Sequence, residues 1–445
     1  MRQKKAKMIS VLSVTALFAG VLAGCGGAAE KEETAGGSTP QGEGKTVTIS
    51  LLTDNTQDAV NQAKGVIEAF EAKYPNIQVE HETRPGGGEG DNLVKTRLAT
   101  GDMTDVFWYN AGSLMQALNP EQNLVDLTNE PFMKNVVDSF KPTVMFKDKL
   151  YAGPLGSTMG GGWLYNKKIY SQLGLNVPKT WAELMANNEK IKAAGITPVI
   201  GSFKDDWTTQ IVVLADYYNV QAQTPKFADD YTANKAKFAD TPAALRSFEK
   251  LEEIGKKGYF NKDFLATTYD AGLKMIAEGK GAHYPMLTFA IPAIEQNYPD
   301  QIGDIGFFAQ PGDSPDVNGL TVWVSNGAYI YKKSEHIEEA KKFVEFTSSI
   351  EGIEALTKMS KPSGPLLVKE AKLPDNVPQV VKDMMPYFDT NKTAPALEFV
   401  SPIKGPSLAQ ITTEVGAGFK PAKEGAQLYD KDVEKQAKQL GLPGW

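Results

Sequence analysis

Trp108-Tyr109, Trp163, Trp207 and Trp323 each stand near small polar or acidic residues, among them Asn110, Asp205, Asp206, Ser325 and Asn326. Flat rings beside carboxylates and amides suit a sugar. A pyranose offers an apolar C–H face for stacking and a rim of hydroxyls that need both donors and acceptors. Core packing accounts for any single tryptophan equally well, but several in such settings tilt the reading toward carbohydrate. Catalysis has no comparable signal. His81, His283 and His336 lie far apart and form no i,i+4 pair, so a surface or packed role suits each. There is no Gly-x-Ser-x-Gly elbow and no Ser-x-x-Lys motif. Asp205-Asp206 invites comparison with paired glycosidase carboxylates, yet adjacency in sequence sets no catalytic separation. Among 54 acidic residues, such pairs also arise by chance.

Composition excludes other classes. The chain has 445 residues, 47 basic and 54 acidic, for a net charge of −7, which argues against nucleic acid as a partner. It has a single cysteine, so no internal disulfide can form. No Cys/His set has the spacing of a structural zinc site, and neither a metal nor a cofactor is expected. With 41% hydrophobic and 23% charged residues, bulk disorder is excluded. Gly86-Gly87-Gly88-Glu89-Gly90 lacks the Gly-Lys-Ser/Thr ending of a phosphate-binding loop and reads as a mobile loop. Gly160-Gly161-Gly162 reads as a hinge, a place of close approach to a ligand, or an ordinary turn.

The N-terminus indicates where the protein works. Arg2, Lys4, Lys5 and Lys7 precede an uncharged, mostly apolar run from Met8 to Gly24 that ends Leu22-Ala23-Gly24-Cys25. This is a signal peptide over 1–24, too short in its apolar part for a membrane span. Its ending resembles the lipobox of bacterial lipoproteins, in which the cysteine is lipidated and becomes the first residue. Cleavage there leaves 421 residues and a charge of −11. Two acyl chains on Cys25 would hold the protein stably on a membrane. Residues 25–45, almost all Gly, Ala, Glu, Lys, Thr, Ser, Gln and Pro after the cysteine, read as a flexible tether.

The elements that must position the aromatics follow from periodicity. Val47–Leu52 is a β-rich run, and Val60, Ala63, Ile67, Phe70 and Tyr74 recur at helical spacing before Pro75. Ile77–Glu82 alternates as a strand, a helix around Leu93 and Leu98 closes at Gly101, and Asp105–Tyr109 is a short buried strand. Strand and helix in alternation make a parallel α/β sheet, whose ligands sit at the carboxyl ends of its strands. Pro178–Ala194 and Thr241–Lys257 are further helices, Ala328–Tyr331 another strand, and Ile337–Ser348 an amphipathic helix. Prolines from Pro362 to Pro386 keep the later helices short until the tail. A chain of this length is expected to form two lobes.

Five segments, in order, resemble the extracellular solute-binding protein family that includes maltose-binding protein, the receptors of ABC sugar importers. Leu98–Val106 is similar to its "A-x-G-x-x-P-D-V" segment, with Thr104 in place of proline. Tyr151-Ala152-Gly153-Pro154 with Leu164-Tyr165-Asn166-Lys167 resembles its first lobe crossing. Pro178–Leu184 resembles "P-x-T-W-x-E-L", Ile276–Ala282 resembles "F-x-x-G-x-A-A", and Ala340–Phe346 with Glu351-Gly352 resembles its late helix pair.

The resemblance implies an α/β, two-lobed periplasmic-binding-protein-like fold with hinge crossings and an interlobe ligand cleft. Lobe one would combine 46–154 with 314–359, and lobe two 155–313 with 360–445. It implies no catalysis, an oligosaccharide ligand, ABC transporter permease subunits as partners, a monomer, and an extracytoplasmic location on the bacterial cell membrane. Ligand contacts carried over by position are Asp54 and Asn55, then Trp108, Tyr109 and Asn110, and Ser157 and Thr158 at the first crossing. Asp205, Asp206 and Trp207 follow, with Trp323 before the return to lobe one. The family's "G-x-W" is replaced by Pro285–Phe289, where Thr288 is the polar candidate, and Lys361–Ser363 approaches the cleft by analogy. Two other readings stay open. The scaffold would suit a non-sugar solute such as a polyamine, drawn by Asp54, Asp205 and Asp206, and a secreted polysaccharide-degrading enzyme would share the aromatics.

Overall fold

Alternating and helical periods become elements where expected, and the computed structural model describes residues 46–445 except Ser325. The signal peptide, Cys25 and the tether lie outside the described residues. Residues Lys45–Trp445 form one compact unit.

Strand β1 (Val47–Asp54) buries Ile49, Leu51 and Leu52 completely. Helix α1 (Gln57–Lys73) starts at Thr56, whose side chain accepts the Ala59 N–H, and turns Ala63, Val66 and Phe70 inward. Gly65 lets it lie close to a later helix, since a Cβ there would come within 2.6 Å of the Ala355 carbonyl oxygen. Strand β2 (Ile77–Arg84) runs parallel to β1, with Val47 opposite Ile77 and Asp54 opposite Arg84. Helix α2 (Gly87–Thr100) ends at left-handed Gly101. The glycine run expected as a mobile loop therefore opens a helix: Gly90 is buried under Pro85 and Arg84, where no side chain has room. Strand β3 (Val106–Tyr109) flanks β1 on its other side.

A short hairpin, β4 (Met145–Phe146) with β5 (Lys149–Leu150), precedes β6 (Ala152–Pro154). After residues 155–158 the chain enters a second sheet through β7 (Met159–Asn166), followed by α3 (Trp181–Ala193) and β8 (Thr197–Val199). Then come α4 (Pro242–Lys256), β9 (Gly281–Leu287), α5 (Ala290–Asn297), β10 (Ile305–Ala309) and β11 (Leu320–Trp323). The chain returns through 324–326 to β12 (Gly327–Ile330), α6 (Ile337–Thr347) and α7 (Ile350–Met359). Strand β13 (Thr393–Pro395), α8 (Leu408–Gly416) and the tail helix α9 (Ala422–Gln439) complete the second lobe.

The first sheet has the order β2-β1-β3-β12-β6 and the second β13-β11-β7-β9-β8, with β10 also on β7. Neither is wholly parallel: in the first, β12 runs antiparallel to β3 and β6, and in the second, β7 runs antiparallel to β9, β10 and β11. Two lobe boundaries differ from expectation. The return to lobe one falls after Trp323 rather than at 314, since β11 pairs with β7 and β13. Leu367 and Val368 pack into the first core rather than the second. Segments of three or four residues carry too little periodicity to reveal which sheet they join.

Each lobe has its own core, one around Phe70, Phe107, Phe140 and Tyr329, the other around Trp163, Trp181, Phe248 and Tyr259. The glycine triplet Gly160–Gly162 lies inside β7, where a Cβ on Gly161 would meet the Trp323 ring at 2.3 Å. It is there for packing, neither a turn nor a free hinge. The second lobe also holds a buried ion pair. Lys250 and Asp216 meet at 2.5 Å with both side chains 1% exposed. Asn219 donates to the same carboxylate, and Lys250 also donates to the Pro311 carbonyl.

Candidate functional site

Between the lobes lies a cavity of about 400 Å³, lined from both sides, by the crossings at 155–158 and 324–326, and by Ser360–Ser363 after α7. On the first lobe its wall is the carboxyl edge of the sheet, where strand ends leave the following helix starts free to face a ligand. Asp54 ends β1, Arg84 ends β2 and Asn110 follows β3, while Asp58 and Gln62 of α1 stand above them. On the second lobe Trp207, Gln210, Phe289, Pro292, Trp323 and Glu398 face them.

The aromatic rings have different degrees of freedom. Trp207 is half-buried, its ring 5.2 Å from Tyr269 and 5.8 Å from Phe289. The glycine turn of the opposite lobe comes up to it, since a Cβ on Gly87 would lie 3.6 Å from its Cδ1. Trp323 is 6% exposed at the floor, and its Nε1–H donates to Glu398 at 2.7 Å. Lys404 donates to the other oxygen of Glu398 at 3.0 Å. Trp108, 2% exposed, presents little more than an edge.

Charge is also organised. Asp58 receives a hydrogen bond from the Ser360 hydroxyl and another from Gln62 Nε2 at 2.9 Å. Burial, opposed by the Ser360 bond and assisted by the Asp54 charge, pushes its pKa up to about 7. Burial likewise raises the pKa of Asp91, against the pull of Arg84. Asp54 spends one carboxylate oxygen on the Thr56 N–H and hydroxyl.

The lobes touch directly around the cavity. Asn61 of α1 donates to Gln296 of α5, and Lys361, just after α7, reaches Glu295 at 2.6 Å. Gly112, at φ 70°, lies so near the second lobe that a Cβ would be 2.4 Å from the Glu398 carbonyl oxygen. At the hinge the Ser363 N–H donates to the Ser157 hydroxyl at 3.0 Å. These contacts describe a closed cleft.

Of the ligand contacts expected from sequence, Asp54, Trp108, Asn110, Ser157, Trp207, Trp323 and the stretch Lys361–Ser363 line this cavity. The others do not. Asn55 is exposed outside it, and Tyr109 is fully buried beneath Arg84, whose guanidinium lies 5.3 Å from its ring centroid. Thr158 is buried and bonded to Pro365. Asp205 accepts the Tyr269 N–H at 2.6 Å, a structural use of its carboxylate, and Asp206 is exposed beside Gly87. Thr288, fully buried, accepts from Gly160 N–H and donates to the Ser363 carbonyl, which ties the start of β7 to the segment after α7. Trp163 is core, with Nε1–H on Gln310.

Sequence reading missed Asp58, Arg84, Asp91, Glu398 and Lys404, all of which line the cavity. Asp54 and Asn110, carried over by family position, stand at strand ends, and Arg84 stands likewise at the end of β2. Glu398 and Lys404 had no such signal, standing in a proline-punctuated stretch with no clear period. Of the histidines, His283 is buried between Tyr170 and the Pro198 carbonyl, and burial lowers its pKa to about 3. Among the described residues no His/Cys/Asp/Glu group is arranged to hold a metal ion.

The model of the bacterial extracellular solute-binding proteins matches residues 53–353, from the end of β1 into α7. The chain belongs to that family. Over 383 residues this binding protein is 27% identical to the multiple sugar-binding protein of Streptococcus mutans, covering 84% of this chain and 85% of the relative. It is 26% identical over 369 residues to an ABC transporter extracellular-binding protein of Pyrococcus horikoshii, covering 77% of each. Among solved structures it resembles a chitin oligosaccharide binding protein, with TM-score 0.77 and 21% identity over 89% of this chain and 100% of that one. The binding protein RafE in complex with raffinose gives TM-score 0.73 and 21% identity over 88% and 100%. These likenesses establish the two-lobed fold.

Proposed function

We propose that this binding protein is a lipid-anchored extracytoplasmic receptor that captures an oligosaccharide in its interlobe cleft and hands it to the permease of an ABC importer. The observation that carries this reading is the cavity itself. It sets the ring of Trp207 and the indoles of Trp108 and Trp323 among hydroxyl-matching groups from both lobes, including Asp54, Gln62, Asn110 and Gln210. Apolar faces with a few convergent polar groups are what a sugar's two kinds of surface require. Relatives named for multiple sugars, chitin oligosaccharide and raffinose support the same ligand class. Anchoring rests on Cys25 at the lipobox-like site, and delivery rests on membership of the family. The site binds without catalysing, as a monomer, and closure around the ligand is the signal for the permease.

Asp54 and Asp58 at one end of the cavity favour a second reading, a cationic solute such as a polyamine. A thermal-shift screen of the full-length protein against oligosaccharides, spermidine and calcium tests the first against the second. Ligand at a hundredfold excess over its dissociation constant stabilises by about 2.7 kcal/mol. A rise in melting temperature with one sugar series is expected. A rise with spermidine alone overturns the sugar reading.

A further inference from the structure

One end of the cleft is more specific than a general sugar site requires. Arg84 lines the cavity and is only 3% exposed, yet among the described residues its Nε finds no partner and its one side-chain hydrogen bond goes to the Pro85 carbonyl at 3.0 Å. Among the described residues no carboxylate forms an ion pair with it. Asp54 faces it across β1 and β2 but turns an oxygen to Thr56 instead. Asp91, a turn into α2, is the acid whose charge it feels. A buried guanidinium without a close carboxylate bears a desolvation cost that a bound anion would offset.

Beside Arg84 is the start of α2. Gly86 precedes it with no side-chain cap, and Gly86, Gly87 and Gly88 all line the cavity. The helix's first N–H groups have no intrahelical partners, and with the helix dipole they favour negative charge. Lys95, two turns along the same helix, also lines the cavity and makes no ion pair among the described residues. Lys404 is already engaged by Glu398. Arg84 and Lys95 share this wall with Asp54 and Asp91; Asp54 is held by Thr56, and burial raises the Asp91 pKa, so the Asp91 carboxyl gives up its charge more readily beside another anion.

We propose that the pocket formed by Arg84, Lys95 and the Gly86–Gly88 turn is a carboxylate subsite, so that the oligosaccharide this protein captures carries a uronic acid unit at that end. The planar fork of arginine matches a carboxylate in two parallel hydrogen bonds. The trio of glycines lets the backbone approach the same group. This inference rests on the oligosaccharide reading above and names the class of sugar.

The test is isothermal titration of the full-length protein, purified in detergent, against trigalacturonate and an aldotetraouronate, with raffinose, maltotriose, xylotriose and chitotriose as neutral probes. One uronate probe is expected to bind at least tenfold more tightly than every neutral sugar, with affinity falling as salt rises. R84Q should erase that preference, and K95Q should reduce it. R84K serves if R84Q does not unfold cooperatively. A neutral sugar that binds as tightly as the uronates, or an R84Q variant that loses equally on both classes, overturns the subsite and leaves the oligosaccharide reading standing. Failure of every carbohydrate to bind overturns both.

Discussion

Trp207 offers the sharpest separation between ligand contact and scaffold. Its ring is half-buried, held from behind by Tyr269 and Phe289, with the open part facing the cavity. An aromatic side chain buries about 200 Å² in all. If a ligand covers roughly a third of that, at about 25 cal/mol per Å², the contact contributes about 1.6 kcal/mol. That is a little over tenfold in affinity, since about 1.4 kcal/mol is tenfold. Trp207→Ala should therefore weaken oligosaccharide binding by at least tenfold in isothermal titration, and unfolding should stay cooperative. Trp163→Ala is the control, because that ring is fully buried against Phe308 and is not among the residues that line the cavity. It should cost about 3–5 kcal/mol of stability and act on binding only through folding. Affinity unchanged within twofold in Trp207→Ala would refute the reasoning and make Trp207 a piece of surface.

Three further outcomes are expected. Lys250→Met removes the counter-charge of Asp216, whose pKa burial already raises, and leaves a buried carboxyl without its ion pair in the second core, so urea unfolding should show a loss of about 3–5 kcal/mol. The double variant Lys250→Met with Asp216→Leu should recover part of it. Asp58 keeps its proton longer in the folded state, with a pKa of about 7, than in the unfolded chain, where a carboxyl sits near about 3.9. The folded state then binds more protons between those values, and the Asp58 contribution to stability falls as pH rises from about 4 to 7. Asp58→Asn should flatten that part of the melting-temperature profile between pH 4 and pH 7, and an unaltered profile would rule out Asp58 as its source. Gly112→Ala puts a Cβ against the Glu398 carbonyl at a positive φ. It should hold the lobes apart, lower ligand affinity more than tenfold, and leave a larger radius of gyration by small-angle scattering with ligand present.

The fold was more legible than the site, for reasons that particular residues make plain. Strand β1 and helix α1 could be read because Ile49, Leu51, Ala63, Val66 and Phe70 keep one period over many residues. The lobe boundary at Trp323 could not, because β11 and β12 are four residues each and three apart. For the site, Asp54 and Asn110 came by position in the family's segments, whereas none of the matched segments covers Arg84. Tyr109 and Thr288 misled because position in a segment does not report direction. Tyr109 lies beneath the cavity wall, and Thr288 is spent on the hinge backbone. Glu398 and Lys404 are brought in by a long return of chain to the cleft, which no local pattern encodes.

The central claim is that the interlobe cavity is where an oligosaccharide is held. The crystal structure of the protein grown with the sugar that raises its melting temperature most tests this directly. A sugar ring is expected against the open face of Trp207, with hydroxyls hydrogen-bonded to groups from both lobes, Asp54 and Gln210 among them. A sugar bound outside the cleft, or in it with Trp207 untouched and contacts to one lobe alone, would contradict the account.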